Sequence, residues 1–156
     1  MSTSPIGFTT MPKLLPVTGS FALPFTAYFT LLSLRVVRQR LSSKKYLGDS
    51  SGAAGAAADP SSDALYVACR AHSNYVEGVP LALLLAALAE LNGANRRALT
   101  AALSALFVFR VLHSEAGMFL KGAMGGGRPL GYFGGLGVTA GLAGYAAYLV
   151  KGYWGF

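Results

Sequence analysis

Charge and cysteine are scarce in this 156-residue chain: 12% of residues are charged and one is cysteine. The charged share is about half that of a typical soluble domain, too little to solvate a surface on every side. The lone Cys69 excludes an internal disulfide framework and reads as a small packing residue rather than a nucleophile. Acidic residues number 6 against 13 basic ones, for a net charge of +7. In a soluble fold that excess would point to nucleic acid, but here the basic residues gather at the ends of apolar runs, so no nucleic-acid partner is expected. Gly125, Gly126 and Gly127 follow no strand, which excludes a phosphate-binding loop of the nucleotide type. No metal is expected.

What the chain does have is apolar length. Hydrophobic residues make up 53% and the mean hydropathy is +0.48. The 20 glycines fit helices that pack closely in lipid. Residues 17–34 carry no charge, about the length needed to span a membrane, and end on Arg35, Arg38 and Arg40. Cleavable signal peptides place their positive charge before the apolar run, so this is read as an uncleaved helix over about 17–40. A low-complexity loop of about 42–63, expected to be mobile, precedes a second helix over 64–91 that stops at Asn92-Gly93. A third helix is expected over 97–120, and a fourth over 129–150 with Pro129 in its first turn. The fold class expected is all-α, a transmembrane four-helix bundle forming one domain over 1–156.

The second helix carries the most informative cluster, Arg70-Ala71-His72-Ser73-Asn74-Tyr75-Val76-Glu77, followed at once by an apolar run. Charges at membrane depth cost at least ~2.5 kcal/mol each on insertion scales, so a chain that keeps them is expected to use them. Arg70, Asn74 and Glu77 fall within about 60° on a helical wheel. His72 and Glu90 share the nearly opposite direction. Two polar faces cannot both meet lipid, so this helix is expected to be enclosed by protein, in a homotrimer if one bundle cannot cover both.

Eight basic residues (Arg35, Arg38, Arg40, Lys44, Lys45, Arg70, Lys121, Arg128) fall at one end of the bundle. Lys13, Arg96, Arg97 and Lys151 fall at the other, with Arg110 inside the third helix. The positive-inside rule turns the richer end to the cytosol. Topology then brings Arg35, Arg38, Arg70, His72, Asn74, Glu77, Arg110, His113, Arg128 and Tyr132 to one depth. Such a net-positive pocket with one acid and an aromatic hydroxyl suits a small anion that also carries an ammonium, as glutathione does.

These residues resemble the MAPEG superfamily, the membrane-associated proteins of eicosanoid and glutathione metabolism. The likeness is carried by Arg70-Ala71-His72-x-Asn74-x-x-Glu77-x-x-Pro80 and Ala89-Glu90-Leu91-Asn92-Gly93. Arg110-Val111-Leu112-His113 and Arg128-Pro129-Leu130-Gly131-Tyr132 extend it. Lys45-Tyr46-Leu47-Gly48-Asp49 looks like the small bacterial-type branch of the microsomal glutathione transferase-like members. The resemblance implies a homotrimer that binds glutathione as co-substrate between protomers. It assigns Arg70, Asn74 and Glu77 to holding glutathione, Arg38 (or Arg35) to a ligand carboxylate, and His72 and His113 to polar ligand contacts. Arg128 approaches the sulfur, and Tyr132 follows one turn later. Two departures, Gly78 and Gly117, stand where eicosanoid-forming members carry tyrosines.

The implied function is a membrane-bound glutathione transferase that joins the thiolate to lipophilic electrophiles arriving from the bilayer, with peroxidase activity as a possible companion. Residence would be the endoplasmic reticulum membrane in a eukaryote or the inner membrane in a bacterium, in a detoxifying role. The alternative is a non-catalytic membrane protein that keeps the bundle and binds glutathione or a lipid. Plainer readings stand beside the site assignments: an Arg70–Glu77 structural ion pair, His72 and His113 as core histidines, Arg35, Arg38 and Arg40 as flanking charges reaching for the interface, and Tyr132 as an interfacial aromatic. Gly131-x-x-x-Gly135 and Gly137-x-x-x-Gly141 read as helix-packing surfaces.

Overall fold

In the computed structural model, residues 14–48 and 60–155 are described. The middle of the loop expected to be mobile, 49–59, lies outside them.

Four long helices account for the architecture: α1 (Pro16–Ser43), α2 (Ala64–Leu91), α3 (Arg96–His113) and α4 (Gly127–Leu149). Local chemistry sets their ends. Proline opens α1, and Lys44 closes it in the left-handed region (φ 55°) with its N–H on the Arg40 carbonyl. The Asp63 carboxylate accepts from the N–H groups of Leu65 (2.8 Å) and Tyr66 (3.3 Å) to cap α2. Gly93 (φ 82°) turns the chain after it. Asn95 caps α3 through the Arg97 N–H at 2.9 Å. The chain is all-α among the described residues, as the sequence leads one to expect.

Two differences from expectation carry information. The third helix does not continue as α-helix to residue 120. It widens into a π-helical turn over Ser114–Met118, where the Phe119 N–H reaches the Ser114 carbonyl at 2.9 Å. The apolar pattern is continuous there; what the sequence hides is that the start of α4 seats its backbone against this turn. Second, three stretches are long and apolar enough to cross a membrane: Pro16–Ser43, Ala64–Leu91 and Arg96–Met118. The fourth expected span, α4, has 23 residues but is diluted by glycine and tyrosine. One chain does not enclose α2: Val76, Leu81, Leu84 and Leu88 lie exposed.

Packing runs α1 on α2, α2 on α4 and α4 on α3. Leu32, Leu99, Leu103 and Leu106 fill the core without exposure, beside an edge-to-face cluster of Phe25, Tyr28, Tyr75 and Phe107. The Tyr75 hydroxyl donates to the Phe25 carbonyl at 2.7 Å, tying α2 to α1. Glu90 does the same at the other end of the pair. Its two oxygens accept from the N–H groups of Val17 (2.7 Å) and Thr18 (2.8 Å), satisfying a helix start that has no side-chain cap of its own. His72 meets the Phe29 ring, with centroids 5.2 Å apart. The second polar direction of α2 therefore faces α1.

Candidate functional site

The first direction of α2 faces a cavity of about 620 Å³ at the end of the bundle where α1 finishes and α2 begins. Such a volume suits a small-molecule ligand. Arg70 and Asn74 line it from α2, one turn apart, and His113 from the end of α3. Met118 comes from the π-helical turn, Met124, Gly125 and Gly126 from the following loop, and Arg128, Pro129 and Tyr132 from the first turns of α4. Thus five of the eight residues expected at the site (Arg70, Asn74, His113, Arg128 and Tyr132) meet in one place. The other three stand elsewhere. Glu77 is exposed one turn beyond Asn74 and does not line the cavity. His72 turns to α1, its Nε2 buried with no hydrogen-bonding partner among the described residues. Arg38 lines a different pocket.

Glycines allow this convergence. A Cβ at Gly117 would lie 2.6 Å from the Arg128 backbone nitrogen, and one at Gly127 2.6 Å from the Leu112 carbonyl oxygen. Such contacts are closer than carbon tolerates, so α4 can begin here only against glycine. Gly131 lies against the backbone of Phe109 and His113, and Gly134 against the Phe109 ring. The expected packing surface at Gly131 and Gly135 is therefore real, whereas Gly137 and Gly141 face open space within the chain.

The contacts then fix the chemistry. His113 Nδ1 lies 2.9 Å from the Arg128 carbonyl oxygen. A carbonyl only accepts, so Nδ1 carries the hydrogen. Arg128 donates through Nη1 to the Ala123 carbonyl at 2.9 Å, with the Met124 sulfur at 3.7 Å. Tyr132 stands with its ring centroid 6.3 Å from that of His113. With guanidinium groups at Arg70 and Arg128 and no carboxylate on the wall, the cavity favours an anion.

Sequence reading brought Arg110 to this depth without assigning it a role, put Glu90 on the second direction of α2, and gave Glu115 none. Arg110 is 7% exposed. Its Nη1 donates to Asn74 Oδ1 at 3.1 Å, directly behind the cavity wall. Its guanidinium rests on Gly78, where a Cβ would collide with it, and against Gly135. This explains the first departure noted in the sequence: Gly78 is the seat of Arg110. The second has an equally direct cause, since α4 occupies the space a side chain at 117 would need. Glu115 pairs with Arg35 at 2.7 Å and accepts from the Tyr28 hydroxyl at 3.0 Å. Only the spacing of Arg110 from His113, three residues on one helix face, hinted at any of this.

The MAPEG family model matches residues 19–148, a stretch that contains every side chain of this cavity. No curated protein and no solved structure matches the chain.

Proposed function

This chain belongs to the MAPEG family, and we propose that it is a membrane-bound glutathione transferase acting on lipophilic electrophiles. Membership supports a membrane protein related to glutathione or eicosanoid metabolism. The observation that carries the finer reading is the meeting of Arg70, Asn74, His113, Arg128 and Tyr132 around one cavity with no carboxylate on its wall. Glutathione brings two carboxylates, one ammonium and one thiol. Arg70 and the Asn74 amide offer charge-assisted and neutral donors to the carboxylates. Glu77, exposed one turn beyond Asn74, is the carboxylate this reading gives to the ammonium.

The thiolate is the reacting species, and a neighbouring guanidinium favours it over the thiol. Arg128 holds that position in the reading, its guanidinium steadied by the Ala123 carbonyl. The sulfur attacks an electrophilic carbon, a carbon–sulfur bond forms, the leaving group departs with its electron pair, and the thiol proton goes to solvent. Arg38 lines a different pocket of the same chain, so in this reading it would reach a ligand only from a neighbouring protomer. Gly117, against the Arg128 backbone, leaves no room for the tyrosine that eicosanoid-forming members carry there, and Gly78 lacks the other, which favours conjugation over eicosanoid synthesis.

The reading includes a homotrimer in the membrane with this end toward the cytosol. Support comes from α2, whose exposed Arg70, Glu77, Leu81, Leu84 and Leu88 ask for a neighbouring copy. One observation favours a second reading, binding without turnover: Arg128 already spends a donor on Ala123. Purified protein in detergent, given glutathione and an aryl halide, separates the two. Glutathione-dependent loss of the halide supports the transferase. Calorimetric binding with no conjugation supports the binder, and no binding removes both.

A further inference from the structure

The three stretches apolar enough to cross a membrane do not include α4, so something besides composition has to fix its depth. Residues 129–150 carry no charge and stand between Arg128 and Lys151. At 1.5 Å per residue that run covers ~33 Å, close to the ~30 Å of hydrocarbon in a bilayer. Arg128 lines the cavity at one end, so Lys151 falls at the opposite membrane border. Two contacts mark that border on neighbouring elements. The Tyr145 hydroxyl accepts from the Asn95 N–H at 2.8 Å, which levels the last turns of α4 with the turn between α2 and α3. Glu90 meets Val17 and Thr18 where the uncharged run of α1 begins.

Just past this level stand Tyr148, Tyr153 and Trp154, which are 60%, 85% and 68% exposed. The last two belong to a short 3₁₀ turn, Lys151–Trp154, that follows α4. Their rings meet edge to face with centroids 5.3 Å apart. The Lys151 ammonium lies over the Tyr148 ring at 4.2 Å. Neither hydroxyl nor the indole N–H has a hydrogen-bond partner among the described residues. Each ring is apolar in body and polar at one tip. Water would leave the bodies exposed, and hydrocarbon would leave the tips unsatisfied. The boundary between the two suits both parts.

We propose that Tyr148, Lys151, Tyr153 and Trp154 form an anchor seated among phospholipid headgroups, at the end of the bundle away from the cavity. The rings rest against the upper acyl chains, and the polar tips and the ammonium meet ester and phosphate oxygens. The anchor gives α4 the depth that its composition does not.

Trp154 is the single tryptophan, so the fluorescence of the unmodified full chain reads this site alone. The test reconstitutes the chain in an excess of phosphatidylcholine whose acyl chains carry bromine either near the ester or near the chain end. The expected result is a greater loss of emission to the shallow bromines than to the deep ones, unchanged when the lipid excess is raised further. In the double variant Tyr148→Ser, Tyr153→Ser the emission should move to the red and the shallow loss should shrink. Equal or stronger quenching by the deep bromines would overturn the proposal by sinking the turn into hydrocarbon. Quenching by neither would also overturn it, water-like emission placing Trp154 outside the membrane and blue-shifted emission placing it against another copy of the chain. A double variant that matches the wild type would overturn the shared anchor.

Discussion

Arg110 donates to Asn74 Oδ1 across 3.1 Å, so the buried cation of α3 and the amide on the cavity wall form one unit. Among the described residues no carboxylate pairs with Arg110, and Asn74 is the only hydrogen-bond acceptor it holds there. Removing the amide strands a charge. Asn74→Ala should destabilise the protein by about 1.5–3 kcal/mol, the range for a lost hydrogen bond to a charged group. Asn74→Asp should raise the unfolding temperature in detergent above that of Asn74→Ala while weakening anion binding, because its charge faces both Arg110 and the cavity. An Asn74→Ala protein that unfolds like the wild type would show that Arg110 is held by its packing on Gly78 and Gly135.

Gly117 tests the seat of α4. Its missing side chain faces the Arg128 backbone, not the end of a flexible side chain, so nothing nearby can give way cheaply. Gly117→Ala should cost about 1–3 kcal/mol, as other overpacking substitutions do, and should displace Arg128. Both thermal unfolding and glutathione binding report on it. If both are unchanged, the close approach of α4 is not required.

At the other end of the bundle, Glu90→Gln keeps the shape of the α1 cap and removes its charge. The loss expected is about 0.5–2 kcal/mol. It should be read locally, as faster amide exchange at Val17 and Thr18 with the cavity residues unaffected. Uniformly faster exchange would mean that Glu90 supports the whole bundle.

Arg128→Leu separates binding from chemistry. Thiolate absorbance of bound glutathione should fall at neutral pH, and conjugation should drop tenfold or more for each pKa unit lost, ~1.4 kcal/mol per unit. Affinity should change far less, since Arg70 and Asn74 remain. Full activity in this variant would assign sulfur activation to another cation, Arg70 being the nearest choice on the wall.

Helix number and the two polar directions of α2 were legible because helical periodicity and capping residues are local signals. Asp63, Asn92-Gly93 and Asn95 mark their ends in the sequence itself. The meeting of Arg70, Asn74, His113, Arg128 and Tyr132 was legible through topology, since alternating spans return those segments to one end. The partners of Glu90, Glu115 and Arg110 were not, because each contact joins residues far apart in the chain. Nor was the π-helical turn, which depends on where the backbone of α4 comes to rest. Arg38 shows the remaining gap: a helix wheel gives direction relative to its own axis, not the side of α2 on which the side chain emerges.

The carboxylate at the start of α1 also sets an order of assembly. Val17 and Thr18 precede Glu90 by 73 and 72 residues, so a nascent chain emerging from the ribosome exposes the first helix long before the group that completes it exists. Until the last turn of α2 is made, those N–H groups have water or lipid headgroups as their only acceptors. The first helix is thus finished by the second, and maturation of this end of the protein waits on a hairpin closing, not on a single segment inserting.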